Sequence, residues 1–371
     1  MPMIKPEHPH LNELEPYEPP DLEAAARRAG VAVDQLIRLI ANENPFGPSP
    51  LVRRRLADYR EYHLHPDYEP LKEAVAGYVD VPTSQVVLSN GADEMIDLLV
   101  RLFVEPGDAV VIAPPTFSMY SFSALVNRCD VVAVPRGADL SLDLAAVERG
   151  VAERNARAAS DPGIGEARIL FLVSPHNPGG QALPLEAVER FLRLPLMVVV
   201  DEAYIEFGGE TALDLLPDHE NLVIMRTFSK WAGLAGLRLG YALLAPRLAE
   251  YMERIRPPYN VNAAAVVAAL ATFDDLERVQ ANVARIVAER ERLQDALREI
   301  PYLEPLPSEA NFVLCRVVDG DARGVVNDLL DAGILVRGFS SPAMTGYVRI
   351  SVGTPEQNAA LLKALERMTE A

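Results

Sequence analysis

The chain has 371 residues, 49% of them hydrophobic and 24% charged, which is enough for a sizeable core and two domains. Its 35 basic and 53 acidic residues leave a net charge of −18. That sign repels phosphate backbones and anionic membranes, so neither nucleic acid nor a membrane is expected as a partner. The one local basic cluster, Arg53, Arg54 and Arg55, reads as a solvated helix face. No apolar run approaches the length of a membrane span. Cys129 and Cys315 stand far apart, giving no disulfide framework and no metal-ligand spacing, as suits a reducing cytoplasm. The start, "MPMIKPEHPH", lacks the apolar core of a signal peptide.

Residues 1–20 are rich in proline and acid and read as an extended arm. A short helix is expected over 21–29, with Asp21 as its cap and Gly30 at its end. Beyond residue 43 short apolar runs alternate with helical segments. "VVL" (86–88) leads into a helix over about 92–104, and "AVVIA" (109–113) into one near 116–127. "VVAV" (131–134) precedes a helix near 143–157. "ILFLV" (169–173), "MVVVD" (197–201) and "LVIMR" (222–226) follow. These runs are apolar on both faces, the pattern of a largely parallel sheet covered by helices on either side, and so of an α/β sandwich. Residues 263–300 keep helical spacing, with a break expected near Phe273 and Asp274. Strands near 311–317 and 346–352, with helices near 321–332 and 355–370, point to a smaller α+β domain.

In such a sheet ligands sit beyond the carboxyl ends of the strands, and the residues there form a set. "SNGADE" (89–94) opens a helix whose first N–H groups can bind an anion; it can equally be a plain turn capped by Asp93. In "PPTFSMY", Phe117 and Tyr120 could stack on a planar ligand or simply pack. Asn177 in "SPHNPGG" could donate to a phenolate-like oxygen or close an Asn-Pro turn. Asp201 ends a buried run and needs a donor or a cation; a protonated ring nitrogen would serve, as would the N–H groups of the next turn. In "RTFSKWAGLAGLRLGY", Thr227 and Ser229 offer hydroxyls and Arg238 a planar fork for phosphate. Lys230 sits among apolar flanks, where desolvation favours the neutral, nucleophilic amine.

A phosphate, an aromatic ring, a ring nitrogen wanting an acid, a phenolic oxygen wanting donors and an aldehyde wanting an amine together describe pyridoxal 5′-phosphate. The carboxylate would keep the pyridine nitrogen protonated and the ring an electron sink. The lysine would bind the aldehyde and later act as the base.

At this level the sequence resembles the fold-type I aminotransferases, most closely their histidinol-phosphate aminotransferase branch. "NENPFGPSP", "SNGADEMIDLL", "PPTFSMYSFSA", "SPHNPGG", "VVVDEAYIEF", "RTFSKWAGLAGLRLGY", "SEANFVLCR" and "GYVRISVGT" stand in the family's order and spacing. The resemblance implies a large cofactor-binding domain over 42–262 and a small domain over 263–371. Residues 1–41 would form an arm and part of the small domain. It implies Lys230 as the lysine that binds the cofactor, Asp201 on the pyridine nitrogen, and Asn177 and Tyr204 on the ring oxygen. Ala92, Asp93, Thr227, Ser229 and Arg238 would hold the phosphate and Phe117 would stack on the ring, where the family usually has tyrosine. Arg349, assisted by Arg337, would bind the substrate's anionic end, with Tyr17, Asn42 and Asn311 lining the same cleft.

Two departures stand out. His65-Pro66-Asp67 replaces the family's Tyr-Pro-Asp, whose tyrosine reaches the neighbouring subunit's cofactor phosphate; His65 or Tyr62 could take its place. Asn177-Pro178-Gly179-Gly180 lacks the threonine hydroxyl of the usual Asn-Pro-Thr-Gly. The expected reaction is transfer of an amino group between L-histidinol phosphate and 2-oxoglutarate, in a homodimer with shared active sites. An aromatic amino-acid aminotransferase and a decarboxylase of phosphorylated amino acids remain alternatives. A non-catalytic cofactor-binding scaffold is disfavoured by the presence of both Lys230 and Arg349. A nicotinamide-binding fold is disfavoured by the lack of a glycine-rich fingerprint after the first strand.

Overall fold

The computed structural model describes residues 11, 14 and 20–369. Its strands are β1 (Ile37–Leu39), β2 (Val86–Ser89), β3 (Ala109–Ile112), β4 (Asp130–Ala133), β5 (Ala167–Val173), β6 (Met197–Asp201), β7 (Leu222–Thr227), β8 (Gly240–Leu244), β9 (Leu303–Pro305), β10 (Phe312–Val317), β11 (Ile334–Gly338) and β12 (Tyr347–Ser351). The helices are α1 (Leu22–Ala29), α2 (Pro50–Asp58), α3 (Glu69–Val79), α4 (Gly91–Phe103), α5 (Met119–Val126), α6 (Leu144–Ser160), α7 (Leu185–Phe191), α8 (Pro246–Ile255), α9 (Ala263–Asp274), α10 (Leu276–Arg298), α11 (Ala322–Asp331) and α12 (Pro355–Arg367).

Seven strands form one sheet in the order β2-β8-β7-β6-β5-β3-β4. Strands β3 to β7 pair in parallel. β8 runs antiparallel between β2 and β7, so β2 points the same way as β7. Every residue of β2, β3, β7 and β8 is buried, because helices cover both faces and leave no side for polar residues. On one face Phe171, Val199 and Met225 pack against Met95, Leu99, Tyr120 and Met252 of α4, α5 and α8. On the other, Leu170, Val200 and Ile224 meet Val75, Phe191 and Ala269.

The expected helix at 21–29 is present, with Asp21 Oδ1 accepting from Ala24 N at 2.9 Å and Gly30 closing it at φ 67°. The expected break near Phe273 falls between α9 and α10. The helix expected from 116 begins only at Met119, since Pro115 and the turn bearing Phe117 precede it.

The second sheet is richer than the two strands expected. Five strands run β1-β11-β12-β10-β9, and β1 joins from far upstream, parallel to β11 with Arg38 opposite Leu335. β1 and β9 have three residues each, too few for a period to show in sequence. The arm expected over 1–20 lies almost wholly outside the described residues.

Candidate active site

The register of the large sheet assembles the site. Asp201, the last residue of β6, stands opposite Val173 of β5 and Met225 of β7. Gly240 begins β8 opposite both Ser89, the end of β2, and Thr227, the end of β7. The segments after β2, β5, β6 and β7 therefore all emerge at one edge, where a ligand of an open α/β sheet binds.

Lys230 follows β7 in a turn anchored by Phe228 and Trp231, both fully buried. Trp231 stacks on Tyr78 with centroids 5.4 Å apart, and Phe228 meets Phe273 edge-on at 5.6 Å. Each buried aromatic contributes about 2–3 kcal/mol of apolar burial, so the lysine's backbone is held by packing. The turn closes tightly: Gly233 has φ +69°, and a Cβ there would lie 2.6 Å from the carbonyl carbon of Gly47.

The side chain of Lys230 donates to Ala41 O at 3.1 Å. Burial pushes its pKa down to about 8, helped by the charges of Arg349 and Arg238 and opposed by Glu43 and Asp93. At neutral pH about a tenth of such a lysine is the neutral amine, against well under a thousandth for an ordinary one.

Asp201 is buried, and burial pushes its carboxyl up to about 6. Tyr120 donates its hydroxyl to Asp201 Oδ2 at 2.6 Å, and Ala203 N donates to Oδ1 at 3.1 Å. These two bonds hold the pKa down, while Asp93 and Glu202 raise it. Sequence reasoning offered Tyr120 only as a stacking or packing aromatic. Its spacing, three residues beyond Phe117, carried no sign that it would reach Asp201.

Asn177 and Tyr204 are oriented from behind. Arg349 Nη1 donates to Asn177 Oδ1 at 2.6 Å, which leaves the amide Nδ2 to donate outward. Asn42 Nδ2 donates to the Tyr204 hydroxyl at 3.0 Å, leaving that phenol's own proton for a ligand oxygen. Asn42 adopts φ 53°. Its Oδ1 accepts from Ser351 Oγ at 3.0 Å, and its carbonyl accepts from Asn311 Nδ2 at 2.9 Å. Arg349 Nη2 donates to Ile40 O at 3.0 Å. Residues 40–42 thus tie the lysine, the arginine and the phenol together; Ser351, Ile40 and Ala41 had no signal in the sequence beyond standing beside named residues. Arg337 lies directly across the sheet from Arg349. Like charges so placed repel, and an anion between them relieves the repulsion.

The phosphate group of residues also converges. Ala92 and Asp93 lie in the first turn of α4, where unpaired backbone N–H groups and the helix dipole favour an anion. The start of that helix is Gly91, at φ +78°. A Cβ there would come within 2.8 Å of Arg238 Nη2, so glycine lets the guanidinium cross the helix start. Arg238 donates to Asp93 Oδ2 at 2.9 Å. Thr227 Oγ1 lies 2.9 Å from Ser229 Oγ and accepts from Ser229 N at 3.1 Å. Asp93 does not cap its helix: Asn90 holds that position, and Glu94 Oε2 accepts from Asn90 N at 2.6 Å.

Phe117 is half-buried, edge-on to Tyr120 at 5.7 Å. His65 and Tyr62 are exposed. His65 stacks on Tyr259 at 4.0 Å, and Tyr62 donates to Leu56 O at 3.3 Å. Tyr17 lies outside the described residues.

The donor set fits pyridoxal 5′-phosphate. Asp201 is a buried acid that no cation among the described residues holds. A phenol and an amide have donors to spare, and an amine has a lowered pKa. A fork and a helix start lie at the end of β2. Among the described residues no helix is long and apolar enough to cross a membrane.

Comparison with known proteins defines the class. The family described as aminotransferase class I and II matches residues 34–365, and the chain belongs to it. It is 45% identical to the histidinol-phosphate aminotransferase of Roseiflexus castenholzii, across 97% of each chain. It is 40% identical to the chloroplastic histidinol-phosphate aminotransferase of Nicotiana plumbaginifolia, covering 96% of this chain and 85% of that one. Among solved structures, the histidinol-phosphate aminotransferase of Sinorhizobium meliloti in complex with pyridoxal-5′-phosphate superposes with TM-score 0.87 at 29% identity, covering both chains in full.

Proposed function

We propose that this chain is a pyridoxal 5′-phosphate-dependent aminotransferase that moves an amino group reversibly between L-histidinol phosphate and 2-oxoglutarate. One observation carries the reading: Arg349 reaches from the small sheet to Asn177, and its charge bears on Lys230, so an anion-binding fork and a depressed-pKa lysine are brought together. The relative from Roseiflexus castenholzii, at 45% identity, supports the choice of amino donor.

The cofactor, when bound, supplies an aldehyde to carry the amine and a ring to take up electrons. Lys230 would hold the cofactor's aldehyde carbon and, once freed by the donor's amine, would serve as the base that carries the proton from the donor's Cα to that carbon. Asp201 would hold the pyridine nitrogen protonated. Asn177 and Tyr204 would donate to the ring oxygen, and Phe117 would stack on the ring. Ala92, Asp93, Thr227, Ser229 and Arg238 would hold the phosphate. Arg349, with Arg337, orients the donor's phosphate or the oxo acid's carboxylate, which share the need for a forked cation. Asn42 and Asn311 order the wall of the cleft.

The division into an arm with part of the small domain over 1–41, a large domain over 42–262 and a small domain over 263–371 is part of this reading. So is a homodimer in which exposed His65, or Tyr62, reaches the other subunit's cofactor phosphate. A cytoplasmic setting accords with two free thiols, Cys129 and Cys315.

The test is a panel of amino donors with 2-oxoglutarate. Histidinol phosphate should exceed phenylalanine in kcat/KM. The reverse ratio would make the enzyme an aromatic aminotransferase, and release of carbon dioxide without a keto product would make it a decarboxylase. Lys230→Ala should be inactive, and light scattering should give twice the chain mass.

A further inference from the structure

Tyr120 is fully buried on α5, with its ring stacked on Phe171 of β5 at 4.6 Å and 8°. Phe117 meets it edge-on at 5.7 Å. A phenol in so apolar a place needs a partner for its proton, and it has one in Asp201 Oδ2, at 2.6 Å. Phe171, Val173 and Asp201 share a face of the sheet, because Val173 stands opposite Asp201 and Phe171 is two residues upstream. The surface that seats the tyrosine ring is therefore continuous with the carboxylate that its hydroxyl reaches.

We propose that Tyr120 is a positioning residue for the reaction: its hydroxyl holds Asp201 ionised and in one orientation, ready to pair with the protonated ring nitrogen of the cofactor. The inference rests on the functional reading above and deepens it. Asp201 has two anchored oxygens. Oδ2 takes the phenol and Oδ1 takes Ala203 N, and each keeps lone-pair capacity for a further donor. The charged groups that act on Asp201 besides Tyr120 are Asp93 of α4 and Glu202, and both disfavour its ionised form. Tyr204 is the other phenol near this pair. Tyr120 is thus the side chain that offsets them. The turn and the helix that follows it supply two services: Phe117 for the face of the ring and, three residues later, Tyr120 for the acid at its edge.

The experiment measures the Kd of pyridoxal 5′-phosphate by absorbance or fluorescence titration across pH. It compares wild type, Tyr120→Phe, Asp201→Asn and the double variant, each checked for native fold by circular dichroism. Tyr120→Phe keeps the stacking ring and removes only the donor. Its Kd should rise on the order of tenfold or more near neutral pH, and the pH below which affinity falls should move up by roughly one unit. In the Asp201→Asn background the same change should have little further effect. A wild-type Kd and midpoint in Tyr120→Phe, or an equal loss with and without the Asp201 carboxylate, would overturn the inference and reduce Tyr120 to packing. If Tyr120→Phe does not fold, Tyr120→Leu, which also lacks the donor, replaces it under the same criteria. Failure of wild type itself to bind the cofactor would instead bring down the functional reading beneath.

Discussion

Replacing Glu206 with glutamine should stabilise the protein by an amount that grows as pH rises from 4.5 to about 8, and should change little below 4.5. Glu206 lies in the single turn Ile205–Phe207 that follows β6. Both of its carboxyl oxygens are buried without a hydrogen-bond partner among the described residues, as are Tyr241 OH and Trp231 Nε1. Burial pushes the carboxyl from 4.5 up to about 8; Arg226 pulls it down, and Glu202 pushes it up. The folded pKa is thus raised above the unfolded one. The folded state keeps its proton where the unfolded chain has lost it. The contribution is complete below the unfolded value and is lost as pH rises through about 8. A gap of roughly 3.5 units, at about 1.36 kcal/mol per unit, caps the total near ~5 kcal/mol, of which about 3 kcal/mol falls between about pH 6 and about pH 9. Asp201, pushed up to about 6, is already ionised over most of that window. Lys230 titrates in both proteins and cancels in the difference. Calorimetric Tm values at the two ends of the window should therefore diverge, Glu206→Gln gaining roughly 3–6 °C on wild type as pH rises. Parallel Tm profiles for the two proteins would refute the reasoning, because a buried carboxyl that ionises without cost cannot be desolvated as described.

Three further outcomes follow from the site. Arg349→Lys, which keeps charge but loses the fork, should raise KM for the anionic donor on the order of tenfold to a hundredfold in steady-state assays, with a smaller fall in kcat. Arg238→Ala should weaken cofactor binding by about tenfold or more in titrations yet leave Tm nearly unchanged, because its ion pair with Asp93 at 2.9 Å is exposed and such pairs contribute little. The rate of cofactor capture in stopped-flow mixing should climb with pH and level off above about 8, where Lys230 is the neutral amine. A rate still rising steeply at about pH 10 would mean the lysine keeps its ordinary pKa.

Much of this enzyme could be read one residue at a time. Runs such as "MVVVD" are apolar on both faces because they are covered on both, so the parallel sheet and its helices follow from local composition. Asp201, Asn177, Thr227, Ser229 and Lys230 could be singled out because each ends such a run or stands within four residues of its end, and chain direction alone puts those ends at one edge. The cap at Asp21 and the stop at Gly30 are equally local. The second sheet was only half visible. β1 and β9 are three residues long and owe their extended form to partners elsewhere in the chain, about 300 residues away for β1 and roughly ten for β9.

Position along the chain therefore determined which chemistry was present: an amine, an acid and donors close behind apolar runs, with forked cations supplied elsewhere. Tertiary structure alone decided how that chemistry is tuned. The bond from Tyr120 to Asp201, the grip of Arg349 on Asn177, the seat of Lys230 on Ala41 O and the unpaired carboxyl of Glu206 all join residues that no spacing rule relates. Their energies come from desolvation and from hydrogen bonds across elements, and both depend on what surrounds a side chain in space rather than on its neighbours in sequence.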